Sequence, residues 1–256
     1  MSGQISVLFI KQKLLFNPGT SLINSLRNIL KPRNMKQVYF IVCTCFLFLG
    51  KINAQTNPFE SEILAFEKTD SLYKPVQEQI FLYGSSSIRM WESYEKDFSN
   101  KTLKVINRGF GGSQTSDANF YFDRIVAPHK PIIIFFYEGE NDINAGKSIE
   151  TILLDIKTFI QKTKRLSPET RIVFFAIKPS PSRTQDFDKQ KKFNIRLKQL
   201  VSKEENVYCI DLFSEMLDNE GKADPKFFKE DRLHMNSEGY AIWTKEVQKL
   251  LKKWGL

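Results

Sequence analysis

Short apolar runs alternate with amphipathic stretches along most of this chain. Five runs are rich in Ile, Val and Phe and lack strict polar alternation, which is typical of parallel strands covered on both faces. They lie at 79–83, 103–106, 131–137, 171–177 and 206–212. Helical stripes at 148–166, 187–201 and 237–254 lie between or after them, and Phe59, Ile63 and Phe66 form an earlier stripe. The alternation predicts a three-layer α/β/α sandwich with a five-stranded parallel sheet, as in flavodoxin-like folds.

The segment from Met35 to Ala54 has the pattern of a secretory signal. A basic start is followed by the apolar stretch 38–50 and by a small residue at Ala54. That stretch of about 13 residues is short for a bilayer-spanning helix. We therefore expect cleavage near Ala54, an exported protein (periplasmic or secreted) and no stable membrane insertion afterwards. An uncleaved membrane anchor and a buried hairpin or helix of the domain are the alternatives.

Two units follow from this interpretation. We expect residues 1–54 to be an N-terminal extension that includes the signal. Residues 55–256 are expected to form one domain, without internal repeats or a low-complexity linker. Residues 1–34 do not fit a signal, so we interpret Met35 as the true start.

The positive charge of the chain is concentrated in the extension. The chain has 38 Lys and Arg and 29 Asp and Glu, for a net charge of +9. Residues 1–54 hold seven of the basic residues and no acidic ones, so 38 less seven leaves 31 basic against 29 acidic residues. A net charge of +2 without a basic, aromatic-rich patch does not favour nucleic acid as a partner.

Cysteine usage excludes an intrachain disulfide in the expected mature domain. Cys43 and Cys45 lie in the signal and would leave with it, which makes Cys209 the single cysteine. Cys209 lies in the apolar run 207–210, so we expect a buried core thiol and not a reactive one.

Polar and small residues cluster where the predicted strands end, and in parallel α/β sheets ligands bind at that edge. Four short motifs stand there or in the facing loop: 84–88 (Gly-Ser-Ser-Ser-Ile), 107–113 (Asn-Arg-Gly-Phe-Gly-Gly-Ser), 139–142 (Gly-Glu-Asn-Asp) and 231–234 (Asp-Arg-Leu-His). Each alone is weak, because serine turns, glycine turns and Asn-Asp caps are common in loops. Together they offer a nucleophile, oxyanion donors, an orienting carboxylate and a base. The other histidine, His129, lies in a Pro-flanked connection, where we expect it to face solvent.

The four motifs, in this order, resemble those of the SGNH hydrolases, also called the GDSL-like esterase family. The resemblance covers about residues 78–251 and is greatest to the secreted acetylhydrolase and platelet-activating-factor-acetylhydrolase-like branch. It implies the SGNH hydrolase fold, with Ser86 as the nucleophile and Asp231 and His234 as its partners. The oxyanion hole would be formed by the N–H groups of Ser86 and Gly112 and the side-chain amide of Asn141.

Two details of the resemblance leave alternatives open. Ser85 stands where the family usually has Asp before the nucleophile, which changes the bonding expected in the turn. The glycine-rich stretch also aligns with a slip of one residue, so that Gly111 could replace Gly112 as a donor.

We therefore expect a serine esterase that works through an acyl-enzyme. The expected substrate is a short-chain ester, above all an acetyl group on carbohydrate, and the alternative is a lipid or phospholipid ester. Tyr137, Glu140, Lys178 and Arg183 are candidates for the substrate pocket. No metal or organic cofactor is expected, and the oligomeric state is left open. A glycan-binding module without activity and a flavodoxin-like nucleotide or flavin binder are the competing classes.

Overall fold

In the computed structural model of the chain, which describes residues 57–73, 79–98 and 103–256, five parallel strands form one sheet. The strands run in the order β2-β1-β3-β4-β5 across it. They are β1 (Ile80–Gly84), β2 (Val105–Gly109), β3 (Ile133–Tyr137), β4 (Arg171–Phe175) and β5 (Val207–Ile210). This confirms the predicted five-stranded parallel sheet.

Eight α-helices connect and cover the strands in the described part of the chain. They are α1 (Glu60–Leu72), α2 (Ser86–Arg89), α3 (Tyr94–Asp97), α4 (Thr115–Ile125), α5 (Glu140–Asn144), α6 (Ile149–Leu166), α7 (Phe187–Val201) and α8 (Ser237–Lys253). Four short 3-10 segments lie at Ala127–His129, Pro181–Asp186, Ser214–Met216 and Pro225–Phe227. The helices expected at 148–166, 187–201 and 237–254 are confirmed to within a residue at each end.

A hydrophobic core lies on each face of the sheet, which gives the three layers. On one face, apolar side chains of α1, α4, α6 and α7 pack against the strands, with Phe136 and Phe159 stacked at 4.1 Å between ring centroids. On the other, α2 and α8 cover the sheet, and Phe175 stacks on Trp243 at 4.3 Å. Burial of large aromatic side chains on both faces explains why the strands lack polar alternation.

The register of the central strands brings their carboxyl ends to one level. Gly84 at the end of β1 pairs with Gly109 of β2 and with Tyr137 of β3. Strand order reverses around β1, so the loops after β1 and β3 leave a crevice at this edge. The nucleophile and oxyanion motifs follow these three strands.

Strand β2 differs from its prediction at both ends. The strand was expected at 103–106, whereas the structure has it at Val105–Gly109. It thus includes residues 107–109, which the sequence pattern placed in a loop. Pairing with β1 along its whole length supplies the backbone hydrogen bonds for these polar and glycine residues. Tertiary pairing thus overrides the local pattern.

The expectation that His129 faces solvent is wrong. The ring is fully buried, and its Nε2 lies 2.9 Å from the Asp70 carboxylate of α1. Arg108 of β2 forms an ion pair with the same carboxylate. His129 therefore helps to attach α1 to the sheet and takes no part in the site described below.

The predicted signal segment lies outside the described residues. Within them, no helix combines the length and the apolar character needed to cross a bilayer. Cys209 is partly buried and packs against the core, and burial raises the pKa of its thiol to about 12.

Candidate active site

Ser86 is the first residue of α2, directly after the tight turn that ends β1. Gly84 has a φ of +133°, and a Cβ at this position would lie 2.1 Å from the Tyr137 carbonyl oxygen. That same carbonyl accepts the Ser85 N–H at 3.1 Å, so the turn lies flat against β3. Only glycine fits this close approach and positive φ. The turn fixes Ser86 at the carboxyl edge of the sheet.

The structure brings Ser86, His234 and Asp231 into one hydrogen-bonded chain. The Ser86 Oγ lies 2.9 Å from His234 Nε2, and His234 Nδ1 lies 2.6 Å from Asp231 Oδ2. The second carboxylate oxygen of Asp231 accepts the backbone N–H groups of Leu233 and His234, each at 2.9 Å. One carboxylate therefore holds both the imidazole ring and the turn that carries it.

The loop carrying Asp231 and His234 is closed at its base. Phe228 and Met235 form an antiparallel bridge, and the Lys229 N–H donates to the His234 carbonyl at 2.8 Å. Asn236 follows as the N-cap of α8, with its side-chain oxygen accepting two backbone N–H groups. The imidazole thus stands on a closed loop anchored to a long helix.

Hydrogen bonding keeps Asp231 ionised. Partial burial would raise its pKa, but the His234 ring and the two backbone N–H donors outweigh that effect and lower the pKa to about 2. A carboxylate that stays charged at neutral pH fixes the proton of His234 on Nδ1 and leaves Nε2 free to face Ser86.

The three expected oxyanion donors lie on neighbouring elements at this edge. Within the described ranges, the N–H groups of Ser86 and Gly112 have no protein acceptor. Gly112 has a φ of +84° with open space where a Cβ would lie, whereas a Cβ on Gly111 would meet the Arg89 guanidinium at 2.4 Å. Asn141, on the first turn of α5, donates one amide proton to the Ser113 carbonyl at 2.9 Å. Its second amide proton remains available for a ligand.

Two residues that sequence reasoning did not single out hold these elements together. The Asn107 side chain donates to the Ile88 carbonyl at 2.7 Å and accepts the Gly109 N–H at 2.9 Å, which joins α2 to β2. Buried Asp142 accepts the Thr115 N–H at 3.0 Å and so fixes the start of α4 behind the glycine loop. Their presence in the two motifs was the available signal, but their contacts are not local in sequence.

Three of the four predicted pocket residues are buried in a polar network. Glu140 Oε2 accepts hydrogen bonds from the Tyr137 hydroxyl and from Lys178 Nζ, both at 2.7 Å. Its Oε1 accepts the Ser180 hydroxyl at 2.7 Å. Tyr137, Glu140 and Lys178 are each at most 5 % exposed, which argues against the pocket role expected for them.

The network keeps the buried carboxylate of Glu140 charged. Burial by itself would raise its pKa, but the Lys178 ammonium and three donated hydrogen bonds outweigh burial and lower the pKa below its ordinary range. The Glu140–Lys178 ion pair is therefore a buried contact, and Glu140 directly precedes Asn141 in the chain.

Arg183, the fourth predicted pocket residue, is partly exposed. It lies in the 3-10 segment after β4, and its neighbour Ser182 donates its N–H to the Arg232 carbonyl at 3.0 Å. The segment is thus attached to the loop of Asp231 and His234.

Among the residues that the structure describes, no group of three or more His, Cys, Asp or Glu side chains is arranged to hold a metal ion.

A serine at a strand-to-helix turn, hydrogen-bonded to an Asp–His pair at the edge of a parallel sheet, defines the class of serine hydrolases. Residues 81–242 match the model of the GDSL-like Lipase/Acylhydrolase family, and the chain belongs to this family. It is an ester hydrolase. No curated protein matches the chain.

Solved structures share the fold. A Streptococcus pneumonia protein provisionally described as a platelet activating factor is 22 % identical, with a TM-score of 0.67 over 75 % of this chain and 92 % of that one. A GDSL-like lipase from Bacteroides thetaiotaomicron is 17 % identical, with a TM-score of 0.65 over 75 % and 97 %. A carbohydrate esterase family 3 structure from Talaromyces cellulolyticus is 16 % identical, with a TM-score of 0.53 over 70 % and 97 %.

Proposed function

We propose that Ser86, His234 and Asp231 carry out two-step acyl transfer on short-chain esters. The observation that carries this proposal is the continuous hydrogen-bonded chain from Ser86 Oγ through the imidazole to the Asp231 carboxylate. His234 Nε2 takes the Ser86 proton as Oγ attacks the ester carbonyl, and then gives that proton to the leaving alcohol. Water, deprotonated by His234, hydrolyses the acyl-enzyme and releases the acid.

The negative charge of the tetrahedral intermediate falls to the oxyanion donors. Ser86, Gly112 and Asn141 supply two backbone N–H groups and one amide from three different elements. Loss of one such donor costs about 10²–10³-fold in rate. Gly112 is the better candidate than Gly111, since the space beside its Cα is open, whereas the Arg89 guanidinium fills the space beside the Cα of Gly111.

For the substrate we propose an acetyl group on carbohydrate. The 3-10 segment beside the triad loop is rich in polar residues that suit sugar hydroxyls better than a long acyl chain. The Asp231 and His234 side chains are 47 % and 20 % exposed, so the acid–base pair opens to solvent on a polar surface. The fold shared with a carbohydrate esterase is consistent with this choice.

A phospholipid-like ester is the second candidate. Arg89 lies one helical turn after Ser86, its side chain is 46 % exposed, and its guanidinium packs on Gly111 beside the oxyanion loop. Glu62 lies 3.3 Å from this cation, in a weak surface pair that a phosphate could displace.

Hydrolysis assays test the mechanism and separate the two substrates. Wild type should turn over p-nitrophenyl acetate, and Ser86→Ala should lose this activity, while the control Ser87→Ala alters the adjacent buried serine and should retain it. Activity of Ser86→Ala equal to wild type would refute the assignment of Ser86 as the nucleophile.

A second set of assays separates the two substrates. Release of acetate from acetylated xylo-oligosaccharides, together with rates that fall as the acyl chain of p-nitrophenyl esters lengthens, supports the carbohydrate substrate. Preference for lysophospholipid or long chains supports the second candidate.

We further propose that residues 55–256 are the exported catalytic domain, released after a cut near Ala54. The signal pattern from Met35 supports this, and Asn57–Leu256 form one compact unit. Expression of the full chain in a bacterial host, followed by N-terminal sequencing of the extracytoplasmic protein, should give a start at or near Gln55. An intact membrane-bound chain would support the anchor instead.

A further inference from the structure

Ser113, directly after the oxyanion glycines, connects the candidate donor Asn141 to a buried acid. Its backbone carbonyl accepts the Asn141 amide at 2.9 Å. Its hydroxyl oxygen lies 2.9 Å from the Phe110 carbonyl oxygen and 2.6 Å from Glu138 Oε1. Ser113 is fully buried, so water does not compete for these contacts.

Two hydrogen bonds link the Phe110 carbonyl, the Ser113 hydroxyl and the Glu138 carboxyl group, and each bond needs its own proton. The Phe110 carbonyl can only accept, and the Ser113 hydroxyl has a single proton to donate. If Ser113 gives its proton to Phe110, the short contact with Glu138 needs a proton from the carboxyl group. Both contacts are good hydrogen bonds together only when Glu138 is protonated.

The surroundings of Glu138 favour its neutral form. The residue is 3 % exposed, and Oε2 has no hydrogen-bond partner among the described residues. Burial, reinforced by the carboxylates Asp142 of α5 and Asp117 of α4, raises the pKa of Glu138 well above its ordinary value, against the hydrogen bond from Ser113 and the attraction of Lys147. Lys147 Nζ is already 2.9 Å from Asp142.

Tyr83, a further ionisable neighbour of Glu138, gives no compensating charge. Tyr83 of β1 is buried, and its hydroxyl donates to the Ala118 carbonyl at 2.8 Å. An ionised Glu138 would therefore be a buried carboxylate with one oxygen unpaired, which is strongly unfavourable.

We propose that Glu138 is a neutral positioning residue that donates to the Ser113 hydroxyl and thereby holds the Ser113 carbonyl where it orients the Asn141 amide. The Ser113 proton then goes to the Phe110 carbonyl, which closes the glycine loop from Phe110 to Ser113. The proposal rests on the oxyanion role proposed for Asn141. It adds a residue that acts on the reaction without touching the ester.

Paired substitutions separate a donor role from packing. Glu138→Gln keeps the shape and an N–H donor, whereas Glu138→Met keeps the length and removes hydrogen bonding. With p-nitrophenyl acetate, Glu138→Gln should retain kcat within about threefold, and Glu138→Met should lower kcat by about 10-fold or more with little change in KM. Gln79→Met, which alters a buried polar residue just before β1 at the opposite edge of the sheet, should leave kcat unchanged.

A double-mutant cycle shows whether Glu138 acts through Asn141. Glu138→Met in an Asn141→Ala background should cost no further activity, because the donor it positions is already absent. An equal fold-loss in both backgrounds would overturn the proposal, as would full kcat in a folded Glu138→Met. If Glu138→Met does not fold, Ser113→Ala removes the same link and takes its place, with the same expected loss and the same refuting result.

The protonation state has its own readout, independent of activity. The infrared difference spectrum of wild type minus Glu138→Gln at neutral pH should show the carbonyl band of a protonated carboxyl group. A carboxylate band in its place would overturn the proposal even if Ser86→Ala had already confirmed the esterase mechanism. Conversely, activity of Ser86→Ala equal to wild type would reject the mechanism without affecting this spectrum.

Discussion

Removal of one charge from the buried Glu140–Lys178 pair should destabilise the protein far more than removal of both. The carboxylate and ammonium are 2.7 Å apart, with side chains 6 % and 1 % exposed. In Glu140→Gln the Lys178 ammonium stays buried without a counter-ion. In Glu140→Gln combined with Lys178→Met, no charge remains to be compensated.

The expected size follows from this burial. Breaking a buried pair on one side costs about 3–5 kcal/mol, while replacing both partners is often close to neutral. For a domain of this size, each kcal/mol shifts Tm by about 2–4 °C, so Glu140→Gln should lower Tm by roughly 6–20 °C. The double variant should recover most of this loss.

The effect should also depend on pH in a defined direction. Because the folded pKa of Glu140 lies below its ordinary value of 4.5, its carboxylate stabilises the fold above that pH. This contribution is lost as the pH falls through the folded pKa. Urea unfolding followed by circular dichroism should therefore show wild type and Glu140→Gln converging in acid.

Glu220→Gln is the matched control. Glu220 and Lys222 are also 2.7 Å apart, but their side chains are 73 % and 71 % exposed. Loss of such a surface pair costs at most about 1 kcal/mol. If Glu140→Gln costs no more than this control, or if the double variant is as unstable as the sum of its single variants, the reasoning about the buried pair is refuted.

Three further outcomes are expected. Asp231→Asn should lower kcat on p-nitrophenyl acetate by about 10⁴-fold with the circular dichroism spectrum unchanged, since the imidazole loses its orienting charge; a loss below tenfold would contradict this role. Gly109→Ala should lower Tm markedly or prevent folding, because its Cβ would lie 2.3 Å from the backbone nitrogen of Arg89; an unchanged melting curve would show that α2 can move. Burial lowers the pKa of His129, so stability should fall as the pH drops below the ordinary value of 6.5, and His129→Gln should flatten that slope in urea titrations between pH 7 and 5.

Most of the sheet could be predicted because its strands are buried on both faces and carry continuous apolar runs. Strand β2 is the exception, since its last three residues are Asn107, Arg108 and Gly109. Their pairing partners are supplied by β1, and the Asn107 side chain is satisfied by the nucleophile helix. A local pattern cannot show that a polar residue has a partner 19 positions away.

The grouping of the candidate catalytic residues was predictable for a different reason. Parallel strands end at one edge, so residues that follow them meet even when they are distant in sequence. That rule brought Ser86 and Asn141 to one place, and the three-residue spacing of Asp231 and His234 allowed one turn to join them. The rule places backbone positions and does not show which way a side chain points, so Tyr137, Glu140 and Lys178 were expected to line the pocket, whereas the structure buries all three.

Glu138 and Glu140 show why the protonation states of acids at the carboxyl edge of the sheet could not be predicted from the sequence. The two carboxylic acids are separated by Gly139 alone, yet Glu140 accepts hydrogen bonds from an ammonium and two hydroxyl groups, whereas Glu138 is buried beside a serine and close to the carboxylates of Asp142 and Asp117. Opposite environments push their pKa values in opposite directions, the arrangement by which enzymes set distinct roles for adjacent acids. Here neither acid reaches the ester. Glu140 is an anion directly before Asn141 in the chain, and Glu138, by our proposal, is a neutral donor that acts on the Asn141 amide through Ser113. The partners that set these two protonation states lie 38 and 25 residues away.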